Sequence, residues 1–417
     1  MTADAWMPPA ERAARRIEHA RRTGSETLDL ASCELRDLPP AVGELRQLRS
    51  LDLAYNNLTA LPDTLRPLTR LETLILSEND LTSLPRWLCE LQQLRVLDLA
   101  RTDLHELPGW LAELPALAFL EIAGVAPAPL PDWLHTLPAL TRLVMSERPE
   151  WDLASVTPPP TLEVLDLARM KLRAVPAWIG DLPRLRELDL GGNLLDTVPD
   201  WLSERPALRS LNLGGNALAT LDPAWERCEG LRILSLSGQR GRVLQGAVGL
   251  PPRLTHLDLA SNNLTVLPAG VAALPALERL HLTVNSLAEL PPALAAGETL
   301  VEINMTGNQF AAIPGLIRTL PNLQELHLGG NPLRRLPNWL GELRQLRALD
   351  LWGTWLDAWP GVLGDMPALT SLSIGNTGLR LADLGAGLGG MTQLTALGLN
   401  ALALEEIPEV VRGLHAL

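Results

Sequence analysis

One short stretch returns, nearly unchanged and at an almost fixed interval, along the whole of this 417-residue chain. In its clearest copy, at residues 51–62, it reads LDLAYNNLTALP. Every interval between copies is 23 residues, except the sixth, of 22, and the last, of 25. Repeats of about 20 to 29 residues predict a solenoid whose units pack only on their neighbours. The first leucine of LxL, or its isoleucine equivalent, marks seventeen copies at Leu28, Leu51, Leu74, Leu97, Leu120, Leu143, Leu165, Leu188, Leu211, Leu234, Leu257, Leu280, Ile303, Leu326, Leu349, Leu372 and Leu397.

The alternation within LxL has the period of a β-strand. The leucines are predicted to point into a core, and the residue between them to point to solvent. Stacked copies then form one parallel sheet. The Leu-Pro pair that follows presets the chain for a short helical turn. The sequence therefore predicts a curved α/β solenoid with a parallel β-sheet on its concave face and short helical turns on its convex face.

Asparagine recurs three residues after the second leucine of LxL. A buried amide at this spacing is predicted to bond the backbone of its own turn and of the next unit. Two units depart from the pattern, with residues 145–151 and 237–242 in its place, and these breaks either bend the arc, present a loop to a partner or reflect decay of the repeat. The regular positions are Asn56, Asn79, Asn193, Asn216, Asn262, Asn285, Asn308 and Asn331.

These motifs resemble the leucine-rich repeat family over residues 25–417. The 23-residue form, with LPxxLxxLxxL between strands, is similar to bacterial and plant intracellular, Ras-group-like repeats. These include the repeat regions of Roco-type GTPases and of bacterial effector ubiquitin ligases. The resemblance implies a horseshoe fold whose usual role is to hold another macromolecule.

The two ends of the chain differ from the repeats. Residues 10–22 predict a short helix with Ala13, Ile17 and Ala20 on one side, and this helix is either a basic arm or a cap over the first unit. We divide the chain into an N-terminal helical cap, residues 1–24, and a repeat domain, residues 25–417. The last repeat leaves a sheet edge that either its own turn or a second copy covers, so a homodimer through this C-terminal edge is one alternative.

Charge and cysteine content narrow the partner and the compartment. The formal net charge of −13 disfavours nucleic acid and anionic membranes, and it favours a protein partner with a basic surface. The three cysteines lie far apart and form no cysteine-clustered cap of the kind seen in extracellular members of the family. No long apolar run occurs near residue 1. We therefore expect a cytoplasmic protein.

The residue between the two leucines of each LxL forms a column on the inner face. It contains eight acidic residues and no lysine or arginine. Strands about 4.8 Å apart place neighbouring carboxylates side by side, where they repel by roughly 1 kcal/mol in water. A basic partner would relieve this repulsion; alternatively, Arg49, Arg101, Arg169 and Arg186 neutralise it. The acidic members are Asp29, Asp52, Asp98, Glu121, Asp166, Asp189, Asp258 and Asp350.

Two apolar places interrupt this column. Val96, Phe119 and Val144 are predicted to form a small exposed patch with Arg142 beside it. Near the other end, Trp352 stands where other units carry small residues, as expected of a contact hot spot. The predicted partner-binding residues are Asp98, Phe119, Glu121, Asp166, Asp189, Asp258, His281, His327, Asp350, Trp352 and Trp355.

Catalysis and metal binding find little support in the sequence. We find no nucleophile–base group, phosphate loop or zinc motif. His281 and His327 lie two strands apart, about 10 Å, which is too far for one ion. We expect a non-enzymatic protein without cofactor or metal that serves as an interaction scaffold or regulator. The alternative is the recognition module of a larger Roco-type GTPase or effector ubiquitin ligase.

Tryptophan recurs in the outer turns. The rings form either an aromatic docking stripe or a layer that packs against the next turn and excludes water. The positions are Trp87, Trp110, Trp133, Trp178, Trp201, Trp225 and Trp339.

Overall fold

A computed structural model describes the chain as two compact units, Met1–Leu194 and Leu195–Leu417, called unit 1 and unit 2 here. No helix among the described residues is long and apolar enough to span a membrane. The described residues are 7–125, 131–147, 153, 156–218, 223–239, 249–296, 298–379, 387–402 and 409–417.

Unit 1 begins with helix α1, Pro9–Thr23, which ends at Gly24 in the left-handed conformation that favours glycine (φ 66°). Ala13, Ile17 and Ala20 are buried, as their helical spacing predicts. The helix contacts the first strand.

Seventeen three-residue strands follow, and the central residue of each is the predicted marker of its repeat. In unit 1 these are β1 Thr27–Asp29, β2 Ser50–Asp52, β3 Thr73–Ile75, β4 Val96–Asp98, β5 Phe119–Glu121, β6 Arg142–Val144, β7 Val164–Asp166 and β8 Glu187–Asp189. In unit 2 these are β9 Ser210–Asn212, β10 Ile233–Ser235, β11 His256–Asp258, β12 Arg279–His281, β13 Glu302–Asn304, β14 Glu325–His327, β15 Ala348–Asp350, β16 Ser371–Ser373 and β17 Ala396–Gly398.

Within each unit every strand pairs in parallel with the next, and the register aligns marker with marker, as in Leu97 with Leu120 and Leu326 with Leu349. The marker leucines are buried except Leu397, and they stack with the second leucines of LxL into the core. Burial of this continuous leucine stack drives the fold.

The connections contain single turns of helix that begin after the proline of Leu-Pro. Proline fixes the φ angle at the start of the turn. It has no N–H, but an N–H in the first turn would have no partner within the helix anyway. One turn is α-helical, α2 Ala269–Ala272. The 3-10 turns are Pro40–Glu44, Asp63–Leu65, Arg86–Glu90, Gly109–Glu113, Asp132–Thr136, Ala177–Asp181, Asp200–Leu202, Pro223–Arg227, Pro292–Ala296, Gly315–Thr319, Asn338–Glu342, Gly361–Asp365 and Glu409–Gly413.

The asparagines form the predicted ladder. Asn56 donates to the carbonyls of Leu30 (3.0 Å) and Leu53 (2.9 Å), and its Oδ1 accepts from the N–H groups of Cys33 (3.1 Å) and Leu35 (2.9 Å). One amide thus satisfies four backbone groups that the bend would leave buried without partners.

At one of the two predicted breaks, the position of the missing asparagine is filled by another amide. Gln239 is buried and takes the position of the missing asparagine: its Nε2 donates to the carbonyl of Leu213 (2.6 Å), and its Oε1 accepts from Leu218 N–H (3.3 Å). The longer glutamine side chain carries the same amide and therefore reaches the same kind of partners. The rest of this segment, residues 240–248, and the break at 148–152 lie outside the described residues.

The tryptophans of the outer turns pack rather than project. Trp87, Trp178 and Trp225 are buried, and the indole of Trp178 donates to the carbonyl of Leu153 (2.8 Å). The other four are partly buried. This distribution favours the packing interpretation over a docking stripe.

Candidate functional site

The first and third residues of each strand face away from the leucine core, and we call the surface they form the strand face of each unit. The third position of the strands holds the seven aspartates of the acidic column. The Oδ1 atom of each aspartate accepts a hydrogen bond from the backbone N–H two residues later. Examples are Asp98 with Ala100 (2.9 Å) and Asp166 with Ala168 (2.8 Å). Asn212 and Asn304 make the same bond. The recurrent aspartate therefore has a structural role that the sequence interpretation missed.

Side-by-side carboxylates occur as predicted. The register pairs Asp98 with Glu121 and Asp166 with Asp189 on neighbouring strands of unit 1. Partial burial, followed by the charge of Asp98, raises the pKa of Glu121. Partial burial is also the largest cause that raises the pKa of Asp166, and the charge of Asp189 adds to it.

Asp52 follows the same rule. Burial raises the pKa of its carboxyl, and the charges of Asp29 and Asp98 add to that effect. A half-buried carboxyl among like charges disfavours its ionised form. The acidic column is therefore under electrostatic strain at neutral pH.

The four arginines expected to neutralise this column pair elsewhere. Arg49 pairs with Glu26 and Glu72, and Arg186 with Glu163, all outside the column. Among the described residues, no arginine or histidine forms an ion pair within 4 Å of Asp52, Asp98, Glu121 or Asp166. The prediction that these four arginines neutralise the column by ion pairs is wrong, because glutamates three residues before or after the column positions bind them. The charge of Arg101 only partly offsets the raised pKa of Glu121.

Arg101 and Arg169 belong to an ion-pair row at the end of the strands. Arg101 pairs with Glu78 (2.7 Å) and Glu147 (2.8 Å), and Arg169 also reaches Glu147 (3.1 Å). Arg101 crosses over Gly124 (φ 72°), where a Cβ atom would lie 2.8 Å from its Cγ. The position of this ion-pair row could have been predicted from the sequence, because residues 78, 101, 147 and 169 all lie four positions after a marker leucine.

The predicted apolar patch is only partly correct. Phe119 is partly exposed, and the guanidinium of Arg142 lies 5.1 Å from its ring centroid. Val144 is buried in a cluster with Ala100 and Ala123, against which Phe119 packs. Val144 was predicted to be exposed, and this is wrong because the two small alanines leave room for it.

A recess of about 320 Å³ opens beside these residues in unit 1. Asp98, Glu121, Glu78 and Glu147 line it together with a single cation, Arg101. Ser77 donates to Asp98 Oδ2 (2.8 Å) at its wall. The structure thus brings Asp98 and Glu121 together at one acidic recess, and Phe119 lies on the same strand as Glu121.

The predicted residues of unit 2 form pairs along its strand face. Asp258 is in register with His281, and His327 with Asp350. Asn304 separates the two histidines by one strand, as the sequence predicted.

The two predicted tryptophans both follow the end of β15 at Asp350. Trp352 is 45% exposed, and the Oδ1 atom of Asp350 accepts its backbone N–H (3.0 Å). Trp355 is 59% exposed; it donates its backbone N–H to Leu333 and lines a recess with Asp357 and Asn376. Both rings are open to solvent, and a contact hot spot at Trp352 and Trp355 stays a prediction.

Glutamates supply a candidate metal group that reasoning from histidines alone missed. One ligand atom each of Glu302, Glu325 and His327 lies within 4.8 Å of the others. Glu302 already has partners within this chain, since its Oε1 lies 2.9 Å from His281 Nε2 and its Oε2 lies 3.7 Å from Arg279 Nε. Glu325 Oε2 lies 3.6 Å from His327 Nε2.

Comparison with known proteins agrees with this architecture. A family model described as leucine-rich repeat region matches residues 26–216. Two further models, both described as leucine rich repeat, match residues 252–310 and 322–343. No curated protein sequence is significantly similar to the chain.

Solved structures give the same result. A leucine-rich repeat protein of Leptospira interrogans is 27% identical, with 91% of this chain and 97% of that chain covered and a TM-score of 0.68. The leucine-rich effector protein YopM of Yersinia pestis is 26% identical, with 83% and 94% covered and a TM-score of 0.59.

A third structure supports the fold alone. The ectodomain of the Arabidopsis thaliana receptor kinase GASSHO1/SCHENGEN3, solved with Casparian strip integrity factor 2, is 24% identical, with 94% of this chain and 52% of that chain covered and a TM-score of 0.57. The repeat length, the parallel strands, the asparagine ladder and these matches lead to one conclusion: the chain is a leucine-rich repeat protein.

Proposed function

We propose that this protein is a non-catalytic interaction module whose strand face in unit 1 binds a basic, partly apolar segment of a protein partner. The observation that carries the proposal is the set of half-buried carboxylates at Asp52, Asp98, Glu121 and Asp166. Burial raises the pKa of Asp52, Glu121 and Asp166, and neighbouring carboxylates add to that effect. None of the four carboxylates has an ion-pair partner in the part of the chain that the structure describes. A cationic ligand would supply the missing counter-charge.

The acidic recess supports a specific mode of contact. Its volume of about 320 Å³ accommodates one long side chain, and its wall carries four carboxylates against one arginine. A lysine or arginine of the partner would enter the recess with its charged end toward Asp98 and Glu121. Such charge-assisted bonds contribute more where the protein excludes water.

Phe119 supports an apolar contribution beside the charges. Its ring is anchored on the buried Val144 cluster and remains partly open to solvent. Aromatic anchors of this kind contribute strongly to binding because they bury area at little conformational cost. The partner segment would therefore place an apolar residue next to its basic one.

Unit 2 offers a second contact of the same kind. Trp352 extends over Gly375, where an added Cβ would lie 3.0 Å from its Cδ1. Without a side chain at that position the indole reaches solvent beside Asp350 and His327. We propose Trp352 as the principal anchor of this unit.

The test measures binding of a fluorescein-labelled hexapeptide of alternating arginine and leucine by fluorescence polarisation. The combined variant Asp98→Asn, Glu121→Gln and Asp166→Asn is expected to weaken binding at least tenfold, because each lost charged contact contributes roughly 1 kcal/mol or more. Asparagine at the aspartate positions preserves the backbone bond, as Asn212 and Asn304 do.

The matched control removes three charges elsewhere in unit 1: Asp103→Asn, Glu106→Gln and Asp181→Asn, all at exposed positions. It is expected to bind the peptide like the parent protein. A citrulline-for-arginine peptide and a single-stranded RNA oligonucleotide are expected not to bind. Equal weakening by both triple variants would leave only non-specific attraction to an acidic protein, and the proposed surface would be wrong.

The similarity to YopM supports a second candidate role, as the recognition part of a bacterial effector. The alternative of a larger Roco-type GTPase or effector ubiquitin ligase uses the same surface for the same purpose. Sequencing the flanking reading frame tests it: a GTPase or ligase segment joined to this chain would favour the module over the stand-alone scaffold.

A further inference from the structure

A cavity in unit 2 carries the opposite charge to the rest of the molecule. It has a volume of about 390 Å³ and is lined by residues that precede β9, β10 and β11 in the chain. Five arginines line it against two glutamates, although the whole chain has a net charge of −13. These residues are Arg205, Arg209, Arg227, Arg232, Arg253, Glu204 and Glu229.

Two of the guanidinium groups converge on a single backbone oxygen. Nη1 of Arg209 and Nη1 of Arg232 donate to the carbonyl of Gly230 at 3.2 and 2.9 Å. Arg209 Nη1 also donates to Pro206 O (2.6 Å), and Arg232 Nη1 to Glu229 O (2.9 Å). Carbonyl dipoles fix these cations in place without neutralising them, so their mutual repulsion persists.

Glycine is required where the two guanidiniums meet. A Cβ atom on Gly230 would lie 2.7 Å from Arg209 Nη1 and 2.8 Å from the carbonyl oxygens of Leu208 and Pro206. No side chain fits there without moving these groups. Gly230 therefore permits the guanidinium groups of Arg209 and Arg232 to approach the same carbonyl oxygen, which a residue with a side chain would prevent.

Arg205 adds an unsatisfied donor. Its guanidinium lies over the ring of Trp201, 5.5 Å from the centroid, which holds the side chain in place. Its Nε is buried and has no hydrogen-bond partner among the described residues. The side chain of Arg205 lines the cavity in this fixed position.

None of the five arginines forms an ion pair within 4 Å in the residues that the structure describes, whereas Arg318 and Arg334 of the same unit do. The five guanidinium groups that line the cavity thus lack a carboxylate counter-charge within this distance, and an anion of more than one charge would supply it.

We propose that this cavity binds a small compound that carries at least two linked phosphate groups. The planar guanidinium presents paired donors that match phosphate oxygens, and several cations in one recess favour a polyanion over a single phosphate. The cavity is small and recessed, which favours a small molecule over a nucleic acid strand. The site is independent of the acidic strand face of unit 1.

The test is isothermal titration of the full chain with inorganic tripolyphosphate and with orthophosphate. Tripolyphosphate is expected to bind with one-to-one stoichiometry and at least tenfold more tightly than orthophosphate. Replacement of Arg205→Gln together with Arg253→Gln is expected to weaken tripolyphosphate binding at least tenfold and to reduce its salt dependence, because fewer cations then contact the anion.

The variant Arg227→Gln with Arg253→Gln guards against a folding defect, since both side chains are exposed and neither makes a structural contact among the described residues. It is expected to show the same direction of change. The control Arg36→Gln with Arg70→Gln removes two exposed arginines of unit 1 and is expected to bind normally. Absence of tripolyphosphate binding at millimolar concentration, or equal weakening in this control, would overturn the proposal.

Discussion

The acidic column leads to an unusual prediction: removing three of its charges will stabilise the protein while it weakens binding of the basic peptide. The variant Asp98→Asn, Glu121→Gln and Asp166→Asn eliminates the adjacent like-charge pairs Asp98–Glu121 and Asp166–Asp189. Each pair at strand spacing repels by roughly 1 kcal/mol at high dielectric and more where the groups are half-buried. We expect unfolding to require about 1 to 3 kcal/mol more free energy than in the parent protein at neutral pH.

The pH dependence identifies the cause. Glu121 and Asp166 have pKa values raised in the folded chain, so protonation favours folding. Their destabilising effect is complete above the folded pKa, and it disappears as the pH falls through that pKa toward the unfolded values of 4.5 and 3.8. The advantage of the variant is therefore expected at neutral pH and lost below about pH 4.

The assay is urea unfolding followed by circular dichroism, with parent and variant compared at both pH values and at low and high salt. High salt should shrink the difference at neutral pH because it screens the repulsion. A variant less stable than the parent at neutral pH would refute the reasoning, as would a stability gain that is the same at both pH values.

Three further outcomes follow from particular contacts. Asn193→Ala leaves four buried backbone groups without partners and is expected to lower the free energy of unfolding by about 4 kcal/mol or more. Asn193→Thr introduces the residue that another repeat carries at Thr102, and it is expected to cost less in the same urea assay. Gly124→Ala forces a Cβ against Arg101 and is expected to cost about 1 to 2 kcal/mol, and in that background Arg101→Ala adds little further loss. Chelation with EDTA is expected to leave the thermal midpoint unchanged, because Arg279 and His281 already occupy the oxygens of Glu302; an upward shift with zinc would contradict this.

The fold was predictable because each element has a local and repeated cause. LxL fixes a strand, asparagine fixes the bend and Leu-Pro starts the outer turn, so the register of Leu97 with Leu120 follows from counting alone. Exposure within the strand face was less predictable. Val144 stands in an outward position, yet it is buried because its neighbours in space are Ala100 and Ala123.

The partner of each arginine in the ion pairs around the acidic column could not be predicted from the sequence. Sequence placed Arg101 and Arg169 near the acidic column, but which carboxylate each binds depends on side-chain reach across strands, and Gly124 opens the path of Arg101 to Glu147. The convergence of Arg209 and Arg232 on Gly230 depends on turn geometry that no repeat pattern encodes. Trp352 and Trp355 are close in sequence and both follow the end of β15, but Trp355 lines a recess with Asp357 and Asn376 that the repeat pattern does not indicate.

The central claim is that a basic partner segment neutralises the half-buried carboxyls of unit 1. Its most direct measurement is carbon-detected NMR titration of the Glu121 and Asp166 carboxyls, first in the free protein and then saturated with the arginine–leucine peptide. The claim predicts that both pKa values, raised in the free protein, fall when the peptide binds. Unchanged pKa values in a saturated complex would mean that the partner binds elsewhere.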